Sequence, residues 1–243
     1  QCAVMDKEEQ KHMDRVEEAR RTLLALYGGS HSPLEESDPD FAAIKQRLVY
    51  GELYAQEALD PVMRELILLA VATTNQTMSE VKLHTCAALR SGASPEAVKE
   101  AVYHCAPYIG LGKAEAAAAA VNEVLRTQGI SLPLASQRTV SEEDRLTAGI
   151  AAQKSIFGPH IDEMRAAAPN DKKPLQDYLS AYCFGDFYTR SGLDIRQREL
   201  LTFSILSAQG GCENQIKAHA GGNAAVGNDK PLLLAALMLC MPY

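Results

Sequence analysis

The sequence predicts an all-α protein made of two tandem copies of one helical module, packed together as a single pseudo-symmetric unit. Apolar residues recur at helical spacing over nearly all of the chain after Met13, and almost no stretch alternates as a strand would. A set of unlike residues also recurs at a nearly constant offset, which indicates an internal repeat. With 243 residues, 47% of them apolar, the chain is long enough to bury a core in this way.

The helices of the first copy follow from their apolar periodicity and their end signals. The first is ended by Gly28, and the third is apolar nearly all round, which predicts burial on every side. Ser94 and Pro95 are typical of an N-cap and a first helical turn, so another helix begins there. The last contains five consecutive alanines and is expected to pack closely against another helix or a neighbouring subunit. Apart from the helix that begins at Ser94, the helices of this copy are predicted over 16–27, 41–58, 63–73, 80–89 and 114–126.

The internal repeat defines two modules. At an offset of 134 residues Gly51-Glu-Leu-Tyr54 recurs as Gly185-Asp-Phe-Tyr188, and Arg64-Glu-Leu66 as Arg198-Glu-Leu200. At an offset of 135, His84 recurs as His219, and Pro107-Tyr108 as Pro242-Tyr243. We therefore expect a tail over 1–15, a first module over 16–126, a linker over 127–140 and a second module over 141–243.

The second module, as given, lacks a counterpart of the last helix of the first. The native chain is therefore expected either to continue or to close its second pocket differently, for example with a neighbouring subunit.

Charge, cysteine usage and the absence of binding motifs narrow the class of protein. The net charge of −7 would repel nucleic acids and anionic membranes, and no apolar stretch is long enough to span a bilayer. Six cysteines without a Cys-x-x-Cys pair favour reduced thiols in the cytoplasm, although a presequence already removed would leave no trace. No zinc-like spacing and no phosphate-binding glycine loop supports a metal or a nucleotide cofactor. The expected partner is a small-molecule substrate.

The second module carries the strongest candidate catalytic site. Cys212, Gln215 and His219 share one helix face, and the turn at 210–211 folds this helix back beside the one that carries Glu199. An imidazole can take the proton of a thiol, and a carboxylate can orient that imidazole. Without a catalytic role, Cys212 would cap or pack the helix start, while Glu199 and His219 would form a structural hydrogen bond.

The first module offers a secondary site with different chemistry. It keeps Glu65 and His84, but Thr77 stands in place of the thiol, and Glu80 lies one helical turn before His84. Two close carboxylates are expected to raise the pKa of at least one of them, which suits proton transfer near neutral pH. The alternative is an exposed Glu–His pair of little consequence.

An arginine directly precedes the repeated glutamate in both modules. Arg198 would bind a substrate carboxylate, with Gln215 as a further substrate contact, or it would pair with an acidic residue and brace its helix.

Together these residues resemble the carboxymuconolactone decarboxylase family, which includes the alkyl hydroperoxidase D-like proteins. The resemblance covers both modules and is most specific over 198–219. It implies an all-helical fold that associates tightly, and for a duplicated chain it favours a homotrimer.

Two branches of this family imply two activities. The decarboxylase branch, of lyase type, acts on small carboxylated lactones without a cofactor, which implies proton transfer by Glu199, Cys212 and His219. The peroxidase branch, with peroxiredoxin-like oxidoreductase activity, uses a Cys-x-x-Cys pair. Gln215 replaces the second cysteine, so a thiol-dependent peroxide reductase would rely on Cys212 alone. We favour the first activity; a non-catalytic helical oligomer that binds a ligand is the third alternative.

Overall fold

A computed structural model describes residues 2–29 and 32–243, with side chains from Arg15 onward. Within this part of the chain the regular structure is helical throughout, without a β-strand, and no helix is long and apolar enough to cross a membrane. The α-helices of the first module are α1 (Cys2–Tyr27), α2 (Pro39–Gln46), α3 (Pro61–Thr74), α4 (Met78–Arg90), α5 (Pro95–Ile109) and α6 (Leu111–Thr127).

The second module repeats this arrangement. Its α-helices are α7 (Arg145–Phe157), α8 (His160–Ala167), α9 (Lys173–Tyr178), α10 (Ile195–Gln209), α11 (Glu213–Ala225) and α12 (Lys230–Cys240). The predicted fold class, two tandem helical modules, is confirmed. Among the described residues α6 has no counterpart, and the stretch expected as an N-terminal tail is helical from Cys2, with Gln1 outside the described residues.

The predicted helix over 41–58 is not a continuous α-helix. After α2 the chain continues as a π-helix, Arg47–Glu52, and a short 3₁₀ turn, Leu53–Ala55; α9 likewise runs into a π-helix, Leu179–Tyr188. Each π-helix contains a glycine where the chain touches a preceding helix. A Cβ on Gly51 would lie 2.1 Å from the carbonyl oxygen of Arg15, and one on Gly185 2.2 Å from that of Arg145. Only glycine permits this close approach.

The two modules share one core. Helices α3 and α10 are buried along nearly their whole length and pack against each other, and α5 and α12 each contact the buried helix of the other module. The prediction that 63–73 is buried on all sides is therefore confirmed.

Two of the smaller predictions about helix ends and packing are also confirmed. The Ser94 hydroxyl accepts a hydrogen bond from the Ala97 amide at 3.1 Å, as an N-cap does. The alanine-rich α6 packs on α4 and α5 with Ala117 and Ala120 buried.

Candidate active site

A buried glutamate–histidine pair forms the centre of the second module's site. Glu199 lies on the buried helix α10, and His219 projects from α11, which the turn after Gln209 folds back alongside it. His219 Nδ1 is 2.9 Å from Glu199 Oε2. Since a carboxylate can only accept, the proton of this hydrogen bond is on Nδ1. The predicted pairing of Glu199 with His219 is thus present in the structure.

The other imidazole nitrogen of His219 faces the open side of the site. The Glu199 side chain is 0% exposed, whereas 12% of the His219 side chain is accessible. Among the described residues, none forms a hydrogen bond with His219 Nε2. Phe157 contacts the imidazole edge-on, with ring centroids 5.2 Å apart. The arrangement fixes one nitrogen and leaves the second able to exchange a proton with a bound molecule.

A buried polar network lies behind Glu199. The Tyr188 hydroxyl donates to Glu199 Oε1 at 2.6 Å and is 2.7 Å from the Thr202 hydroxyl. Thr202 in turn contacts the Tyr108 hydroxyl at 3.0 Å and His104 Nε2 at 2.9 Å. Burial raises the pKa of Tyr188 well above its ordinary value, so its hydroxyl keeps its proton and remains a donor at neutral pH. Both oxygens of Glu199 are therefore held by donors.

Backbone contacts also fix the positions of Glu199 and His219. The side-chain amide of Asn223 donates to the backbone carbonyls of Glu199 and His219, at 2.9 and 2.8 Å. Asn223 is fully buried, and its own oxygen accepts from Asn228 at 2.8 Å. The two catalytic candidates are thus held by one rigid side chain that bridges α10 and α11.

Cys212 and Gln215 lie at the start of α11, the helix that carries His219. Cys212 is the N-cap residue of α11 and is half-buried, and Gln215 is exposed. Within the described chain, no hydrogen bond joins either side chain to Glu199 or His219. Their roles as thiol and substrate contact remain predictions.

Arg198 braces the module interface and has no exposed surface with which to meet a substrate. Its guanidinium is 0% exposed, contacts Glu100 Oε2 at 3.0 Å, and donates to the backbone carbonyls of Arg190 and Ser191. Glu100 belongs to α5 of the first module and also pairs with Arg190. The assignment of Arg198 as a substrate-binding residue is therefore corrected: burial and pairing with Glu100 make it a structural brace.

The first module contains the equivalent pair in a closed form. His84 Nδ1 is 2.9 Å from Glu65 Oε2, as in the second module, but the His84 side chain is 0% exposed. Its Nε2 is 3.6 Å from Glu80 Oε2 and 3.4 Å from the Tyr243 hydroxyl. Glu65, Glu80 and His84 are thus brought together as predicted, and the alternative of an exposed Glu–His pair is wrong.

The charges in this closed site differ from the expectation of a raised carboxyl pKa. Burial alone would raise the pKa of Glu80, but the nearby His84 and its ion pair with Lys45 outweigh it and lower that pKa to about 2. Burial likewise opposes the charged form of His84, but its hydrogen bond with Glu65 and the nearby Glu80 outweigh this and raise its pKa. Glu80 is therefore an anion at neutral pH and a poor proton donor or acceptor. Close cations, not the neighbouring carboxylate, dominate its titration.

Each site is completed by a tyrosine of the other module. Tyr108, near the end of α5, bonds to the network behind Glu199, while its repeat counterpart Tyr243 approaches His84. The Asn75 side chain holds the Tyr243 backbone carbonyl at 2.8 Å. Sequence reasoning did not assign Tyr108, Tyr188 or Tyr243 to a site. The sequence did contain a sign of their importance, because all three tyrosines belong to the internal repeat.

The sequence matches a known protein family in both modules. The model of the carboxymuconolactone decarboxylase family matches residues 39–123 and 173–243, more than half of the chain. The chain belongs to the carboxymuconolactone decarboxylase family. Each matched region contains one glutamate–histidine pair of the repeat, so the family resemblance seen in the sequence is confirmed.

A curated protein is similar to this chain in sequence, and a solved structure is similar to it in fold. The 4-carboxymuconolactone decarboxylase of Acinetobacter baylyi (strain ATCC 33305 / BD413 / ADP1) is 29% identical over 98 residues, 40% of this chain and 73% of that protein. A crystal structure from Burkholderia xenovorans LB400, described as a gamma-carboxymuconolactone decarboxylase subunit, has a TM-score of 0.59 and 22% identity. The match covers 92% of this chain and 88% of that one. At this identity it shows a shared fold.

Proposed function

We propose that this chain is a cofactor-independent, decarboxylase-type enzyme that moves a proton on a small organic acid or lactone. The observation that supports this most is His219, anchored by a buried carboxylate on one nitrogen and accessible at the other. The similarity to a protein named 4-carboxymuconolactone decarboxylase agrees with this chemistry. His219 acts as the general acid or base, and Glu199 orients it and stabilises its charged form.

The proposed step needs only one proton. As carbon dioxide leaves the substrate carboxylate, the electron pair of the broken carbon–carbon bond stays on the remaining carbon skeleton. The His219 imidazolium donates its Nε2 proton to that skeleton, becomes neutral, and regains a proton from water. Glu199 accepts hydrogen bonds from His219 Nδ1 and the Tyr188 hydroxyl and takes no part in the transfer of this proton.

Variants at the two ends of the site test this proposal. Turnover of a panel of small carboxylated lactones is followed by carbon dioxide release for His219→Gln, Glu199→Gln and Cys212→Ser. The first two are expected to lose about 10²- to 10⁴-fold in rate, as for a lost general acid–base group. Cys212→Ser should keep most of the activity. His160→Gln, an exposed histidine outside the site, is the matched control.

The opposite pattern would contradict the acid–base assignment. If His219→Gln stays active while Cys212→Ser is inactive and loses the ability to reduce hydrogen peroxide, the thiol-dependent peroxide reductase is the correct alternative. If no substrate of either class is turned over by the unmodified chain, the ligand-binding oligomer is favoured.

We also propose that the chain forms a homotrimer. Its support is a pair of exposed apolar faces at equivalent positions of the repeat: Phe41 and Ile44 on α2, and Leu175 and Tyr178 on α9. Their exposed fractions lie between 62% and 71%, which is costly to leave in water at both places. Contacts between the α2 face of one subunit and the α9 face of the next would close a ring.

A further inference from the structure

The first module contains a cavity of about 610 Å³ that is separate from the Glu199–His219 pair. It lies between α1, α2 and α4, and its volume is within the range of small-molecule sites. Apolar and aromatic side chains form part of its wall, among them Tyr50 and Leu83. A ligand with a flat apolar body would fit these walls.

Basic side chains predominate in the lining of this cavity, although the protein is acidic. Among the described residues that line it, the basic side chains outnumber the acidic ones by three to one: Lys45, Lys82 and Arg90 against Glu80. Lys45 is occupied by its ion pair with Glu80. Lys82 pairs with Glu123 at the exposed surface, where such pairs contribute little. The cavity therefore favours an anion over a neutral or cationic molecule.

Arg90 is the side chain best placed to bind that anion. One guanidinium nitrogen donates to the backbone carbonyl of Leu26 near the end of α1, which fixes the side chain at the rim. In the described part of the chain, Arg90 makes no ion pair with a carboxylate. Its remaining N–H donors are therefore available, and their planar geometry matches a carboxylate.

The acid–base groups of this module are poorly suited to catalysis. His84 is fully buried, and Glu80 is held as an anion by Lys45 and His84. Glu80 presents a fixed negative charge to a molecule in the cavity. Because like charges repel, the carboxylate of a bound molecule would be directed away from Glu80 and toward Arg90. The two modules would then differ in role, with chemistry in the second and binding in the first.

We propose that the first-module cavity is a binding site for a small aromatic or unsaturated carboxylate, held by Arg90 at the rim and by Tyr50 along its ring. The site lies outside the Glu199–His219 pair and does not depend on the proposed catalytic role of that pair.

Cys86 provides a direct readout because it lines the cavity. The unmodified chain is treated with N-ethylmaleimide with and without 2-naphthoate, and the alkylated peptides are quantified by mass spectrometry. Burial raises the pKa of the Cys86 thiol, so the reaction is run above neutral pH. The proposal predicts slower alkylation of Cys86 when naphthoate is bound. Cys212, half-buried but in the second module, is the internal reference.

Calorimetric titration of 2-naphthoate measures the contribution of the charge. Arg90→Gln is expected to weaken binding about tenfold or more, as for a lost charge-assisted hydrogen bond. Arg126→Gln, which removes an exposed arginine outside the cavity, should bind as the unmodified chain does. The neutral analogue 2-naphthylmethanol should bind at least about tenfold more weakly than naphthoate.

Several results would overturn the proposal: no saturable binding of naphthoate, protection of Cys212 alone, or equal affinity for the neutral analogue. Titration of the His219→Gln chain separates the two proposals. Unchanged naphthoate binding supports the first-module site whether or not His219 is catalytic. Loss of binding in that variant would place naphthoate in the second module and contradict the inference, with the catalytic proposal left intact.

Discussion

Tyr188→Phe removes a single hydroxyl from the centre of the network behind Glu199. That hydroxyl donates to the buried Glu199 Oε1 at 2.6 Å and contacts Thr202 at 2.7 Å. A hydrogen bond to a charged group contributes about 1.5–3 kcal/mol, and the ring that remains still fills its space. The free energy of unfolding should fall by this amount. For a chain of this length that lowers Tm by about 3–12 °C.

Activity should fall together with stability, but with a distinctive pattern. If the lost hydrogen bond stabilises the charged pair during proton transfer, the same 1.5–3 kcal/mol lowers the rate by about 10- to 150-fold. KM should change little, because Tyr188 is buried behind Glu199 and away from the accessible edge of His219.

Tyr182→Phe is the matched control for this measurement. Tyr182 lies in the same π-helix and is half-buried, and in the described structure its hydroxyl forms no hydrogen bond. Thermal unfolding, kcat and KM are measured for both variants. If Tyr188→Phe costs no more stability than Tyr182→Phe and leaves kcat unchanged, the network does not support Glu199, and the reasoning from its distances is wrong.

Two further predictions concern the charged cluster and the exposed faces. Because the pKa of Glu80 is lowered to about 2 in the folded protein, its stabilising contribution is present above about pH 4.3 and lost as the pH falls toward 2. In urea unfolding, the free energy of unfolding of the unmodified chain should fall over this pH range by about 2 kcal/mol more than that of Glu80→Gln, after allowance for solvent screening. An equal fall in both chains would contradict the ion cluster. Ile44→Lys and Tyr178→Lys should each lower the mass of the assembly measured by light scattering. Leu24→Lys, at an exposed apolar residue of α1, should leave that mass unchanged. An unchanged mass in the first two variants would exclude the proposed contact faces.

The helices and the glutamate–histidine pairs could be predicted from the sequence because both follow from local rules. Apolar spacing and caps place α3 and α5, and the recurrence of Glu65 and His84 as Glu199 and His219 indicated that each pair belongs together. The π-helices could not be predicted, since an added residue per turn leaves no periodic trace in a short segment. The only local sign was the repeated glycine.

The exchange of tyrosines between modules depends on packing that no local pattern specifies. The repeat showed that Tyr108 and Tyr243 are equivalent, yet either could have turned toward its own module. Their direction follows from the contact between α3 and α10, which brings α5 beside the second site. The pairing of Arg198 with Glu100 has the same origin, because these residues are 98 positions apart and meet only at this interface.

The difference between the two sites is concentrated at that interface. Three polar residues near Glu199 have apolar counterparts in the repeat. Thr202 and His104 belong to the network behind Glu199, and Glu100 pairs with the adjacent Arg198. Their counterparts are Leu68, Leu239 and Ala235.

The polar network around Glu199 stabilises its carboxylate, and the partner of that carboxylate, His219, is accessible. At the corresponding positions near Glu65 the residues are apolar, and its partner His84 is fully buried against Glu80 and Tyr243. In an assembly of identical single modules, every interface would carry the same residues and every pocket the same chemistry. Two copies in one chain can differ at each position. Here the differences include residues at the interface between the modules, near the buried glutamates. We therefore expect Thr202→Leu, which gives the second module the residue of the first, to break the network behind Glu199 and to lower the rate of carbon dioxide release, while the helical content measured by circular dichroism is unchanged.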